Sequence, residues 1–113
     1  RVHQALRDIN HLLPIESLEL LKAKYLQVYD LYLRLSERQK RKVYGNLSEV
    51  REQLEELLHR QKKVEELLDK SGTLEQRKQW YDELQQHYQG LPMKEQEKWY
   101  AQMVHLKQSL ERG

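Results

Sequence analysis

A chain of 113 residues, 38% hydrophobic and 34% charged, has room for one compact domain or two small repeated ones, with more charge than an average globular domain. Twenty basic residues against 18 acidic ones give a formal net charge of only +2, which leaves no strong electrostatic footprint for nucleic acid. No apolar run approaches the roughly 18–20 residues that cross a bilayer, no leader-peptide pattern opens the chain, and the lack of Cys excludes disulfides and thiolate metal sites. The chain opens on Arg1 rather than Met, which reads as a processed protein or a segment of a longer one. A soluble, cytoplasmic setting is the expectation, although cysteine usage does not fix the compartment.

Apolar residues recur at three- and four-residue spacing almost throughout, the seam of a coiled coil or helical bundle. Val2, Ala5, Ile9 and Leu12 predict a first short helix, interrupted by Pro14. Leu18, Leu21, Tyr25, Val28, Tyr32 and Leu35 alternate without a fault and predict a second helix over about 15–35. Ser36 with Gln39 reads as a capping box. From there Val43, Leu47, Val50, Leu54, Leu57, Gln61, Val64 and Leu68 carry one long helix over about 37–70. Gln61 is a polar residue on that seam, the kind that fixes register at a cost in stability. Ser71 and Gly72 stop this helix, and Thr73 with Gln76 forms a second capping box. Leu74, Arg77, Tyr81, Leu84 and Tyr88 mark a fourth helix closed by Gly90. Pro92 starts a fifth, which carries Trp99, Met103, Leu106 and Leu110. Nothing alternates as a strand would.

An offset of 56 residues lays 18–55 over 74–111 with identities at Leu18/Leu74, Glu19/Glu75, Lys22/Lys78, Tyr25/Tyr81, Tyr32/Tyr88, Leu35/Leu91, Lys42/Lys98, Tyr44/Tyr100, Leu54/Leu110 and Glu55/Glu111. Ser36 faces Pro92, both residues that start helices. Shared heptads raise any such match, but aligned tyrosines and an aligned turn point to a duplication. The expected fold is all-α: tandem antiparallel three-helix coiled-coil-type bundles of about five helices, unit one over 1–56 and unit two over 57–113, sharing one long central helix. That arrangement resembles spectrin-like repeats, in which three-helix bundles share a continuous linking helix. The pattern Tyr32-x-x-Leu35-Ser36 … Val43-Tyr44-x-x-Leu47, echoed by Tyr88-x-x-Leu91-Pro92 … Trp99-Tyr100-x-x-Met103, is also similar to helical hairpins of uncharacterised archaeal helical-repeat proteins. Neither resemblance implies an activity.

Tyr25, Tyr32, Tyr81 and Tyr88 lie on the seam, with Tyr44 and Tyr100 in the facing return helices, and their repetition in both units favours core filling over an aromatic platform for a ligand. Tyr29, Trp80 and one of the adjacent pair Trp99 and Tyr100 fall off the strict seam, so Tyr29, Trp80, Trp99 and Tyr100 are the candidate partner contacts, since Trp and Tyr are enriched at interface hot spots. Arg38, Lys40, Arg41 and Lys42 gather at the start of the long helix, where cations oppose the helix dipole and an anionic partner would relieve the conflict; Arg60, Lys62 and Lys63 form a second cluster. The competing reading of both clusters is a solvated surface. Glu56-x-x-His59 has the spacing of di-iron bundle ligands, but its best second copy is Asp8-x-x-His11 and the counterpart of Glu56 is Arg112, so no metal site is expected.

No Gly-rich phosphate loop, nucleophile with a neighbouring base, or acid–base pair in apolar surroundings is present, so no cofactor or small-molecule substrate is expected and the chain does not read as an enzyme. The expected role is a protein–protein interaction or structural scaffold module, binding a protein partner or a second copy of itself. The second reading is an anion- or nucleic-acid-binding helical domain using the basic clusters.

Overall fold

Five helices form where the apolar spacing and the cap residues place them. The computed structural model describes residues 1–70 and 72–112, and in it the chain folds as α1 (Val2–Leu12), α2 (Leu18–Leu33), α3 (Glu37–Asp69), α4 (Leu74–Gln89) and α5 (Met93–Arg112). The described residues contain no strand, and none of their helices is long and apolar enough to cross a membrane. Ser71, read as part of the stop of the long helix, lies outside the described residues.

Both capping boxes form. Gln39 N–H donates to Ser36 Oγ at 3.3 Å while Gln39 Oε1 accepts from Ser36 N–H at 3.2 Å, and Gln76 with Thr73 repeats the exchange at 3.2 and 3.1 Å. Each box satisfies two backbone groups that a helix start leaves without intrahelical partners. The start of α2 differs from the sequence expectation by three residues. Pro14 lacks an N–H, and the chain after it folds back as Ile15 and Glu16 donate to the Leu12 carbonyl at 2.9 and 2.8 Å. Ser17 then becomes the N-cap, accepting from Leu20 N–H at 3.4 Å.

In α1 the buried stripe is Val2, Leu6 and Ile9, continued by Leu13, with Ala5 and Leu12 half-buried beside it. The predicted seam of Val2, Ala5, Ile9 and Leu12 therefore lies one edge off the true centre of the buried face. In α2 the seam is as spaced: Leu18, Leu21 and Val28 are buried, while Tyr25, Tyr32 and Leu35 are half-buried. Val43, Leu47, Val50, Leu54, Val64 and Leu67 line the inner face of α3. Helix α1 packs on both α2 and α3, α2 packs on α3, and α4 packs on α3 and α5. The outcome is an elongated body of 61 × 19 × 15 Å.

Burial is uneven along that body. Six residues are buried across α1 and α2, whereas in α4 and α5 only Leu84, Glu95 and Met103 are buried, and Trp99, Leu106 and Leu110 are half-buried. A side chain such as Leu21, 0% exposed, should therefore cost about 2–5 kcal/mol when cut to Ala, while Leu26→Ala, at a position 64% exposed, should stay within about 0.5 kcal/mol. Urea unfolding followed by circular dichroism measures both. Hydrogen exchange should also show faster opening in α5 beyond Met103 than in α2, because few buried apolar contacts mean low local stability.

Candidate functional site

The most constrained chemistry in the chain lies where the α1–α2 turn, the second half of α3 and the start of α5 meet. Glu95, the third residue of α5, is fully buried, the one buried charged side chain among the described residues. Its Oε2 accepts from Leu18 N–H at 3.0 Å, and its Oε1 accepts from Gln61 Nε2 at 2.8 Å and lies 3.3 Å from Lys98 Nζ. The comparison with α3 explains why this carboxylate is available. There the third residue, Gln39, turns back to the N–H of Ser36. Before α5 the corresponding residue is Pro92, which has no N–H to offer, so Glu95 reaches across to another helix start.

The return path is made by backbone. The first N–H groups of α5, those of Met93 and Lys94, donate to the carbonyls of Pro14 and Ile15 at 3.0 and 2.8 Å. Lys94 Nζ pairs with Glu16 Oε1 at 2.8 Å. The starts of α2 and α5 thus cap one another, and the negative charge of Glu95 sits by the positive ends of two helix dipoles. Gln61, read from the sequence as the residue that fixes register, supplies the contact from α3. Gln96 closes the adjoining turn, its Nε2 donating to the carbonyls of Gln89 and Leu91 at 3.2 and 3.0 Å.

The four candidate aromatics are dispersed. Tyr29 is 41% and Tyr100 62% exposed, on α2 and α5; Trp80 and Trp99 are half-buried against the core, and the indole Nε1 of Trp99 is itself buried. Lys70 Nζ lies 5.0 Å from the Trp80 ring centroid, a cation–π contact. Tyr29 stacks between Tyr25 and Tyr32 with ring centroids 6.3 and 6.1 Å apart, forming a three-ring ladder along α2. Lys40 Nζ stands 5.7 Å from the Tyr32 centroid. Tyr44 was expected in the core but is 53% exposed. Its position on the α2 side of α3 sets it beside the ladder, where it adds to the field at Tyr25. Burial lifts the Tyr25 phenol above its ordinary pKa of 10.0; Arg51 opposes that rise, and Tyr29, Glu55 and Tyr44 add to it. Burial likewise raises Tyr88, with Tyr100 adding to the effect. Leu26 (64% exposed) and Leu33 (51% exposed) lie one turn either side of Tyr29 on the same flank of α2, a feature that the seam spacing did not reveal.

The basic clusters divide. Arg60 is not an open anion site: its Nη1 donates to the Gln86 carbonyl at 3.2 Å, its Nε pairs with Glu56 Oε1 at 3.4 Å, and its guanidinium lies against Gly90. A Cβ on Gly90 would stand 2.6 Å from Arg60 Cζ, so glycine here makes room for the cation; its φ of −81° is open to any residue. Lys63 pairs with Glu66 at 3.9 Å and Lys40 with Glu37 at 3.7 Å. Arg38, Arg41, Lys42 and Lys62 are exposed. Glu56 is held by Arg60, and His59 packs edge-on against His87 with centroids 5.9 Å apart. Among the described residues no three His, Cys, Asp or Glu side chains are grouped so as to hold a metal ion.

Removing the Glu95 carboxylate would leave the buried Leu18 N–H and the half-buried Gln61 amide without their acceptor. Glu95→Ala should cost about 3–5 kcal/mol by urea unfolding, and Glu95→Gln, which keeps an acceptor oxygen, should cost less. The raised tyrosines add a pH dependence of defined sign. The folded state holds these phenolic protons more tightly than the unfolded chain, so their contribution is fully present below about pH 10 and is lost as pH rises through the folded values. Ultraviolet titration of tyrosinate should show Tyr25→Phe and Tyr88→Phe removing the latest-ionising phenols.

No family model, curated protein or solved structure matches this chain, so its functional reading rests on its own geometry.

Proposed function

We propose that the chain is a non-enzymatic protein-interaction or scaffold module, built as two three-helix units in tandem that share α3. Helices α1 and α2 with the first part of α3 make one unit; the rest of α3 with α4 and α5 makes the other. The 56-residue sequence offset supports this reading, since it lays Ser17, the N-cap of α2, over Thr73, the N-cap of α4.

The observation that carries the interaction role is the outer flank of α2. Leu26, Tyr29 and Leu33 follow one another at three and four residues and are all exposed, while α2's opposite face is already used by the core. A coherent second seam of this kind is what a helix uses to receive another helix, and single scattered apolar residues would not produce it. The occupant we assign is α2 of a second copy in antiparallel orientation. A two-fold axis between Tyr29 and Asp30 would set Leu26 against the other copy's Leu33 and Tyr25 against its Arg34, an isologous pairing in which each contact occurs twice.

Sedimentation equilibrium from about 5 to 500 μM tests this. A dimer that Leu26→Glu combined with Leu33→Glu converts to monomer, with unchanged helical circular dichroism, is the expected result. A strict monomer across that range, or a dimer indifferent to the two substitutions, overturns the assignment.

A further inference from the structure

Apart from the Glu95 junction, where α1 and α3 begin and α2 ends, lies a second feature whose chemistry is of one kind. A cleft of about 450 Å³ opens between the start of α1, the end of α2 and the start of α3. Its size falls in the range of small-ligand sites. Three cationic side chains reach it from three different segments: Arg1 before α1, Arg34 after α2 and Lys42 in α3. Its floor includes Val2, Leu31 and Val43, of which Val2 and Val43 are buried. No carboxylate lines it. Asp30 pairs with Arg34 at 2.9 Å, but both side chains are largely exposed, and an ion pair in water is weak enough to be exchanged for another anion.

We infer that this cleft binds an anionic amphiphile: a carboxylate or phosphate head held by Arg34, Lys42 and Arg1, with a short apolar chain lying on the Val2–Leu31–Val43 floor. Either half alone would be a weak signal. A basic surface run is ordinarily solvated, and a shallow apolar cleft is ordinarily a packing gap. Here cations and apolar side chains line one cleft, so one ligand satisfies both by offering a charge to the first and a chain to the second. The site differs from the basic run read in the sequence, since of the cations Arg38, Lys40, Arg41 and Lys42 only Lys42 lines it, and Arg1 and Arg34 join it through the fold. Of the α2 flank, Leu26, Tyr29 and Leu33 line none of it, and Arg34 is the residue that both surfaces use.

Isothermal titration with decanoate, decanol and acetate tests the pairing of head and chain. Decanoate should bind at least about tenfold more tightly than either decanol or acetate, and added salt should weaken it, as screening of exposed charges requires. Arg34→Glu combined with Lys42→Glu, both surface changes that circular dichroism should show to leave the helices intact, should reduce decanoate affinity at least tenfold. Co-sedimentation with phosphatidylglycerol and phosphatidylcholine vesicles separates the sources of the head. Retention on the anionic vesicles alone, abolished by the double substitution, assigns a membrane lipid; decanoate binding without vesicle retention assigns a free amphiphile. Equal binding of decanoate and decanol, unchanged binding by the double variant, or binding of neither decanoate nor anionic vesicles overturns the proposal.

Discussion

A carboxylate removed from water is destabilising unless donors surround it, and the arrangement of the chain around Glu95 follows from that requirement. Four donors or positive ends converge there from three places in the sequence: the Leu18 N–H, the Gln61 amide, the Lys98 ammonium and the start of α5 itself. None of the three segments can shift by a residue without stranding a buried polar group. The register of the α1–α2 turn against α3, and of α5 against both, is thereby set by one side chain. Leucines packed on leucines would tolerate a slide far better, because apolar burial has no direction. The mutual capping of α2 and α5 through Pro14, Ile15 and Glu95 adds specificity of the same kind.

Most of the helical framework could be read from spacing and caps, because both are local. Ser36–Gln39 and Thr73–Gln76 announce their helices within four residues, and the α2 seam is decided by side chains one turn apart. What could not be read depends on contacts distant in sequence. Glu95 lies in a run of charged residues that looks like any solvated helix face; its burial requires a turn 77 residues away. One local sign was present: a Glu three residues after Pro92 has no cap N–H to bind. The start of α2 was misplaced for a related reason, since Ile15 looks apolar enough for a helix while Pro14 bends the chain into a turn. Gln61 was legible as a polar interruption of a seam, and only the fold supplied its partner. Among the functional candidates, Arg60 was indistinguishable by sequence from Lys62 until Gly90 and Glu56 were brought against it, and Arg1 and Arg34 join Lys42 only because three helix ends converge.

The two halves solve the same packing problem with different resources. In the first, α1 and α2 supply a full set of Leu, Ile and Val to α3, and tyrosines are left at the margin, where they stack on one another. In the second, Arg77 stands where Leu21 stands in the first, and Trp99 stands where Val43 does, so more of the seam is polar or bulky and fewer side chains are fully enclosed. Surface apolarity follows the same division. Leu26, Tyr29 and Leu33 have Asp82, Gln85 and Gln89 as their counterparts, so only the first half carries a second apolar seam.

The length of α3 has a mechanical consequence. A helix of 33 residues extends about 50 Å, most of the 61 Å body, and it is the one element that runs through both halves. Tension or torsion applied to the ends must pass along α3 or through the contacts beside it, those of Glu95 with Gln61 and Leu18 among them. Those contacts are short, directional polar bonds, which hold stiffly until they break and then give way together. The Glu95 junction would thus behave as a shear pin in a spacer rod: it keeps the α1–α2 turn and the start of α5 in fixed alignment on α3 under small loads, and its rupture would free them to slide along it.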